Sequence, residues 1–198
     1  MVGRPIPARA RPIDQAEARE IFELPAEGPV LLVAGALAGA RSLNETAIEA
    51  FGQVGPAILH ISGERDYPSL KGRSRRTDYR LIPSTERIGA AYAAADLVLS
   101  RAGSSVWEIA AAGKPAILVP YPFATADHQA RNAEYFVQAG GAIMIRDLDL
   151  DVAAVPEHVR SLLGDRERLR RMSEAMLKVA RPAAAEEIAE GLIELAST

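Results

Sequence analysis

The feature that most constrains the fold of this chain is the alternation of short apolar runs with helical patterns from Pro29 onward. Such alternation is typical of a parallel sheet that helices cover on both faces. We therefore predict an α/β fold, a Rossmann-like, doubly wound parallel sheet of about six strands. The predicted strands are residues 30–33, 57–61, 79–82, 97–99, 116–119 and 142–145.

Capping residues and glycines predict where several helices begin and end. Ser84 or Thr85 is expected to cap a helix that ends near residue 95, and Asp127 is expected to cap one that runs through residue 138. Gly113 and Gly140 stand where helices should stop, because glycine readily adopts the left-handed conformation that ends a helix.

The length of 198 residues fits one domain of ordinary size. The opening GRPIPARARPI is rich in proline and arginine and lacks a hydrophobic period, so we interpret residues 1–28 as an interdomain-type linker and lead-in. Residues 29–198 then form the α/β domain. Beyond residue 151 the chain should be helical, with Asp165 opening a charged segment and Pro182 opening a last helix to about residue 195.

Composition excludes several functional classes. A net charge of −3 argues against a nucleic-acid partner, and the local run of arginines at 73–76 is interpreted as a solvated loop. The absence of cysteine excludes disulfides, thiolate nucleophiles and cysteine-ligated metals, and it suits a cytosolic protein. No apolar run approaches the roughly 20 residues that span a bilayer, and the first five residues lack a signal-peptide core, so a soluble chain is expected.

Two glycine-bearing turns follow predicted strands, and each precedes a predicted helix. The first is VAGALAGAR at 33–41, which includes Gly39, Ala40 and Arg41; the second includes Gly103 and Ser104. Backbone amides at such helix starts can approach an anion, and a diphosphate would fit. A purely steric role for a single turn is about equally compatible with the sequence, but two helix starts flanking one crevice reinforce each other.

A lone acid and a polar cluster accompany these turns. Glu108 lies four residues after Ser104, on the expected same helical face, where its carboxylate could accept both hydroxyls of a ribose or could simply face solvent. Gln129 and Asn132 are three residues apart, so one helical face can present both amides to sugar hydroxyls, with His128 at the helix mouth.

The three histidines are expected to do no acid-base work. For His128 we favour ligand recognition, with a surface position near the helix cap as the alternative, and its surroundings have no metal-ligand spacing. His60 ends a predicted strand and His158 falls in a charged helix, and both are expected to be structural because no partner triad is visible.

Five motifs resemble the MurG family of UDP-N-acetylglucosamine transferases, which complete the lipid-linked peptidoglycan precursor and have the GT-B architecture. The motifs are GARSLN at 39–44, AAYAAAD at 90–96, SRAG at 100–103, EIAAAGKPAILVPYP at 108–122 and HQARNA at 128–133. The resemblance covers nearly the whole chain but only the carboxyl-terminal half of the family. GRPIP at 3–7 also resembles the family's interdomain linker.

The resemblance implies that this half binds the donor, UDP-N-acetylglucosamine. It assigns the ribose to Glu108, the diphosphate to the Ser104–Ser105 amides and the Gly39–Ala40 turn, the uracil edge to Thr85, and the sugar to His128 with Gln129. It implies no catalytic residue, metal or cofactor in this chain, because the proposed base lies in the absent half. The resemblance further implies a cytoplasmic protein that is inactive alone. Its partner half would attach it to the inner face of the membrane.

The chain departs from the family pattern at three places. The GGSxGA turn is here GALAGA at 35–40, the stretch from Gly103 to Glu108 is one residue shorter than RAGAxTxxE, and Pro7 replaces the arginine that ends the linker. Arg41 is a candidate to supply the missing cation. These departures bear on diphosphate binding and on the placement of Ser104 and Ser105.

Three functional hypotheses follow. In the first, the chain is the donor half of a peptidoglycan transferase that needs its N-terminal half. In the second, it is a soluble subunit with a membrane-anchored partner, similar to that of the two-chain transferase of dolichol-linked glycan assembly. In the third, the altered turn has left a non-catalytic nucleotide-sugar-binding or structural domain. The last helix carries apolar side chains that could be left exposed, so we also predict that the chain self-associates.

Overall fold

The computed structural model describes residues 5–35, 40–181 and 184–196. The strands are β1 (Val30–Ala34), β2 (Ala57–Ile61), β3 (Tyr79–Ile82), β4 (Leu97–Arg101), β5 (Ala116–Val119) and β6 (Ala142–Met144). The helices are α1 (Gln15–Ile21), α2 (Arg41–Phe51), α3 (Tyr67–Leu70), α4 (Ile88–Ala94), α5 (Val106–Ala111), α6 (His128–Gln138), α7 (Ala154–Leu163), α8 (Arg166–Val179) and α9 (Ala184–Ala196). Short 3-10 turns occupy Ala8–Ala10, Thr125–Asp127 and Asp147–Asp149.

The strands form one sheet in the order β3-β2-β1-β4-β5-β6, and each neighbouring pair is parallel. Leu32 of β1 lies opposite Leu59 of β2 on one side and Val98 of β4 on the other. The chain first builds outward from β1 toward β3 and then crosses to β4 on the opposite side of β1. This order confirms the predicted doubly wound α/β sheet.

Helices cover both faces of the sheet, and each face has its own apolar core. Leu31 and Leu32 of β1 are both fully buried, yet they belong to different cores because successive strand side chains point to opposite faces. One core contains Val106, Ile109 and Phe136, and the other contains Leu43, Phe51 and Val159. Burying each such side chain contributes about 1.5–3 kcal/mol, so the two-sided cover explains why the central strands consist mainly of apolar residues.

Three strands have the predicted bounds, namely β2, β3 and β5. β1 and β4 extend further than predicted, because Ala34 pairs with Ser100 and Arg101 pairs with Val119. The prediction stopped β4 at its last apolar residue, whereas the ladder of backbone hydrogen bonds continues through two polar residues. β6 ends one residue earlier, at Met144.

The described part of the lead-in packs against the α/β domain. Ala10, in the first 3-10 turn, is fully buried, and Ala18 of α1 joins the same core. The chain passes so close to α4 that a Cβ at Gly89 would lie 2.0 Å from the carbonyl oxygen of Arg11. The division of the chain at residue 29 stays a prediction.

A buried arginine fastens this lead-in to the sheet. Arg19 of α1 donates to the carbonyl oxygens of Ala94 at 3.2 Å and Ala26 at 2.8 Å, and to Oδ2 of Asp96 at 3.0 Å. The same Asp96 oxygen accepts the amide of Val30 at 2.8 Å. One ion pair therefore connects α1, the end of α4 and the start of β1.

Two of the predicted caps were wrong. α4 is preceded by Arg87 without a side-chain cap, and the hydroxyl of Thr85 instead accepts the Arg87 amide at 3.0 Å within the loop. Asp127 does precede α6, but it has a left-handed backbone with φ 51° and its side chain caps nothing. The presence of a side chain that can cap a helix therefore did not by itself determine where these helices begin.

The other predicted helix ends and caps agree with the structure. Gly113 and Gly140 follow α5 and α6 with φ of 64° and 84°, a conformation that favours glycine. Asp165 caps α8 by accepting the amide of Arg168 at 2.9 Å. The last helix ends at Ala196, close to the predicted end, while Pro182 lies outside the described residues.

Candidate functional site

The site is built at the edge of the sheet where the parallel strands end, which we call the carboxyl edge. β1 and β4 are neighbours, with Ala34 paired to Ser100, so the segments that follow them leave the sheet side by side. The strand order reverses between these two strands, and open α/β sheets bind ligands in the crevice at such a point. That the two glycine-bearing turns flank one crevice stays a prediction, because residues 36–39 of the first turn lie outside the described residues.

The first turn enters α2. Ala40 is buried and precedes the helix without a side-chain cap, so its side chain satisfies none of the first amides of α2. Arg41 begins the helix and is exposed. Hydrogen bonds from Arg65 hold the pKa of Asp66 below its ordinary value, and the charge of Arg41 adds to this shift. The predicted residue Gly39 lies outside the described residues.

The second turn enters α5. Ala102 is fully buried, Gly103 is half-buried and Ser104 is exposed. Ser104 lies in the turn and not on the helix, so the expected shared helical face with Glu108 was wrong. Ser105 directly precedes α5 without capping it through its side chain. The contact of the Ser104 and Ser105 amides with a diphosphate stays a prediction.

Glu108 lies in the first turn of α5 and is half-buried, so the fully solvent-facing alternative does not describe it. Its Oε2 accepts a hydrogen bond from the hydroxyl of Tyr92 on α4 at 3.1 Å. Burial raises the pKa of Tyr92, and the adjacent Glu108 charge raises it further, so this hydroxyl remains a donor. The bond fixes one carboxylate oxygen and leaves Oε1 available to an incoming hydroxyl.

Thr85 lies in the loop between β3 and α4 and is half-buried. This loop follows the end of β3, so Thr85 is on the same carboxyl edge as the two turns. α4 starts there and carries Tyr92, which contacts Glu108. The loop is therefore joined to the proposed ribose position through one helix.

The polar cluster of α6 meets the second turn. Ser104, Trp107, His128 and Asn132 line a cleft of about 360 Å³. A Cβ built on Gly103 would lie 4.0 Å from Nε2 of Gln129, which shows how close this amide approaches the turn. The structure thus brings together Gly103, Ser104 and the three predicted residues of α6.

The two amides of α6 each use one end to hold a neighbouring loop. Gln129 accepts the backbone amide of Tyr121 through Oε1 at 2.9 Å. Asn132 donates through Nδ2 to the carbonyl oxygen of Ala102 at 3.1 Å. Their other ends, a donor on Gln129 and an acceptor on Asn132, match the two roles of a sugar hydroxyl.

His128 is exposed, and its Nδ1 lies 2.8 Å from the carbonyl oxygen of Thr125. A carbonyl oxygen only accepts, so Nδ1 carries the hydrogen of this bond. In the neutral ring Nε2 is then an acceptor, which suits recognition of a hydroxyl or amide at the cleft.

His60 has the structural role that the sequence predicted. It is fully buried in β2, and burial lowers its pKa from 6.5 to about 3. Nδ2 of Asn44 donates to the carbonyl of Ser62 at 2.8 Å and to Asp66 at 2.9 Å, so its Oδ1 must accept from Nε2 of His60 at 3.0 Å. Nδ1 then accepts from the hydroxyl of Tyr79 at 2.8 Å.

Two buried polar residues at the carboxyl edge, Asn44 and Arg101, were not predicted as site residues. Asn44 of α2 is fully buried and joins this helix to β2 through His60. Arg101, at the end of β4, pairs with Asp147 and is only 5% exposed. Arg101 stands in the quoted SRAG motif, and the signal that could have singled it out is a charged residue directly following a buried strand.

A larger cavity, of about 600 Å³, lies at the opposite edge of the sheet. Phe51, Gly55, Val159 and Leu163 are among the residues that line it, and no predicted site residue does. Within the described ranges, no three His, Asp or Glu side chains are grouped so as to hold a metal ion. No described helix has the length and apolarity that crossing a membrane requires.

Comparison with known proteins agrees with the resemblance found in the motifs. Residues 30–188 match the glycosyltransferase family 28 C-terminal domain. A relative from Nitratidesulfovibrio vulgaris, named UDP-N-acetylglucosamine--N-acetylmuramyl-(pentapeptide) pyrophosphoryl-undecaprenol N-acetylglucosamine transferase, is 41% identical over 175 residues, which cover 85% of this chain and 48% of the relative. A relative of the same name from Chlorobaculum parvum is 41% identical over 197 residues, covering 97% of this chain and 54% of the relative.

A solved structure with a similar fold is also a MurG. The crystal structure of MurG from Acinetobacter baumannii superposes with a TM-score of 0.77 at 26% identity, over 94% of this chain and 55% of that one. The chain therefore spans about half the length of the relatives that it matches.

Proposed function

Because this chain belongs to the glycosyltransferase family 28 C-terminal domain family, we propose that its carboxyl edge binds UDP-N-acetylglucosamine as a sugar donor. The observation that carries the proposal is the approach of the α6 amides to the second turn, with Glu108 in the first turn of the helix that follows it. In this arrangement Glu108 accepts ribose hydroxyls, the turns hold the diphosphate, and the cleft beside His128 holds the sugar.

We further propose that the chain is the donor half of an inverting transferase. The acceptor hydroxyl of a lipid-linked muramoyl-pentapeptide attacks the anomeric carbon, and the bond from that carbon to the diphosphate breaks on the opposite side. Helix-start amides that bind the diphosphate also stabilise the charge of departing UDP, which lowers the barrier. The acceptor and its base belong to a second half, which is consistent with the half-length match to relatives.

A two-chain enzyme fits that half-length match equally well. In this second candidate, the chain is a naturally separate subunit, and a membrane-anchored partner supplies the acceptor half. Both candidates require the same donor site. Adding a separately produced N-terminal half of a relative and measuring transfer from radiolabelled donor tests completion by the first kind of partner.

Calorimetry tests donor binding directly. UDP-N-acetylglucosamine and UDP should bind the isolated chain, and Glu108→Ala should weaken binding by about 1–3 kcal/mol because a charged hydrogen-bond acceptor for ribose is lost. Glu134→Ala, which removes an exposed carboxylate of α6, is the matched control and should bind like the wild type. A folded wild-type chain that binds neither ligand would contradict the proposal and leave only the structural form of the third hypothesis.

A further inference from the structure

Arg101 is a buried arginine at the end of β4 that contacts three segments of the carboxyl edge. Its Nη2 donates to Oγ of Ser42 in α2 at 2.7 Å, and its Nη1 pairs with Oδ1 of Asp147 in the turn after β6. Ser42 Oγ in turn donates to the same Asp147 oxygen at 2.8 Å. These bonds close a triangle, which we call the Arg101 cluster (Ser42, Arg101, Asp147).

The cluster also reaches the segment after β5. Nη1 of Arg101 donates to the carbonyl oxygens of Val119 and Pro120, both at 3.4 Å. The guanidinium carbon lies 5.6 Å from the centre of the Tyr121 ring, within the range of a cation–π contact. Because the Tyr121 amide donates to Gln129, the arginine supports a predicted sugar-binding residue through one intermediate.

Arg101 is poorly placed to bind an anion itself. It is 5% exposed, and its charge is already paired with a carboxylate whose side chain is 18% exposed. A diphosphate would have to displace Asp147 to reach it. Replacing a buried ion pair by apolar side chains is often neutral or stabilising, so stability alone does not account for this arrangement.

We propose that the Arg101 cluster positions the start of α2 against the second glycine-bearing turn, and thereby sets the spacing of the diphosphate site. Arg101 directly precedes the Ala102–Ser105 turn, and Ser42 is the second residue of α2, so the bond between their side chains joins the start of α2 to the start of the second turn. The inference rests on the proposed function, because the diphosphate is what these turns would hold. Arg101, Ser42 and Asp147 are positioning residues under this proposal.

Ser42→Ala is the sharpest test. It removes the link to α2 and leaves the ion pair in place, and alanine is favoured in helices, so the fold should be retained. NMR titrations with UDP and with uridine separate the diphosphate from the nucleoside. We expect the UDP dissociation constant to rise about three- to tenfold and the uridine constant to stay unchanged. Ser42→Thr keeps the hydroxyl and should restore UDP binding.

Two controls match the variants. Glu49→Ala alters an exposed residue of the same helix, and Asp149→Asn alters an exposed neighbour of Asp147 in the same turn, which pairs with Arg146. Asp147→Asn should weaken UDP binding as Ser42→Ala does, while both controls should bind UDP like the wild type.

The outcomes separate the two proposals. A wild-type chain that binds UDP while Ser42→Ala binds it equally well would overturn the positioning role alone. Equal weakening of UDP and uridine would also overturn it, because a general loss of structure has no preference for the diphosphate. A wild-type chain that binds neither probe would overturn the proposed function, and the positioning role with it.

Discussion

His60 is expected to make the stability of the fold depend on pH. Burial lowers its pKa from 6.5 to about 3, so the ring is neutral in the folded chain down to mildly acidic pH. In the unfolded chain the same ring takes up a proton near its ordinary pKa. Because the unfolded state then binds more protons, the free energy of unfolding falls as the pH drops below 6.5, and the ring has no such effect well above that value.

The size of this effect follows from the two pKa values. Between them, each pH unit removes about 1.4 kcal/mol from the free energy of unfolding. From about pH 8 to about pH 5 the expected loss due to His60 is therefore about 2 kcal/mol. A domain of this kind typically has about 5–15 kcal/mol of stability in total, so the loss is readily measured.

Urea unfolding at both pH values measures the loss. His60→Gln removes the titrating ring, so the variant should be less stable at each pH but should lose less between them. His158→Gln removes an exposed histidine of α7 and should keep the wild-type pH dependence. NMR titration of the His60 ring in the folded wild type needs no variant, and a midpoint near 6.5 would refute the reasoning.

Three further substitutions test the lead-in and the site. Arg19→Ala should lower the free energy of unfolding, measured in urea, by about 2–3 kcal/mol. This is less than for a fully buried ion pair, because its carboxylate partner stays partly in water. Arg170→Ala breaks an exposed ion pair and should change the free energy of unfolding little. Gly89→Ala should cost about 1–3 kcal/mol in thermal melting, because its Cβ must displace the lead-in, and a raised melting temperature would contradict that contact. Tyr92→Phe removes the hydroxyl that orients Glu108 and should weaken calorimetric binding of UDP-N-acetylglucosamine by about 0.5–1.5 kcal/mol, and unchanged affinity would show that the bond is not needed.

The central part of the sheet was predictable because β1, β2, β4 and β5 are buried on both faces. A run such as Ala116–Val119 must then be apolar along its whole length, and its limits can be read directly from the chain. The same criterion failed at Ser100 and Arg101, where hydrogen bonding continues although apolarity ends. The apolar runs do not reveal the order of the strands in the sheet, because nothing within a run indicates which other strand lies beside it.

The lead-in was missed for a different reason. Its arginines and prolines look like solvated linker residues, and the residues that bury them lie elsewhere in the chain. Ala10 is buried because Gly89 lets the backbone approach α4, and Arg19 is buried because Asp96 and nearby carbonyls receive its guanidinium. Such pairings connect residues far apart in sequence, so a pattern within one segment does not reveal them.

The candidate site shows the same division. The approach of the α6 amides to the second turn is a contact between residues about 30 apart in sequence, which the helical spacing alone does not reveal. Sugar binding by Gln129 and Asn132 stays a prediction, and the spacing of these residues did not indicate that each amide also holds a loop. Arg101 was quoted within a motif but received no role, since its partners Ser42 and Asp147 are distant in sequence.

These contacts bear on whether donor binding needs a partner half. Glu108 is oriented by Tyr92, Gln129 by the segment after β5, and Asn132 by the second turn, and all of these groups belong to this chain. The groups are therefore held in place before any partner arrives, and binding does not have to provide the free energy of ordering them. Donor binding and sugar transfer should then be separable, with this chain providing the first and the second half adding the acceptor. A site ordered by the partner would instead bind UDP-N-acetylglucosamine only in the assembled enzyme, so the affinity of the isolated chain decides between the two arrangements.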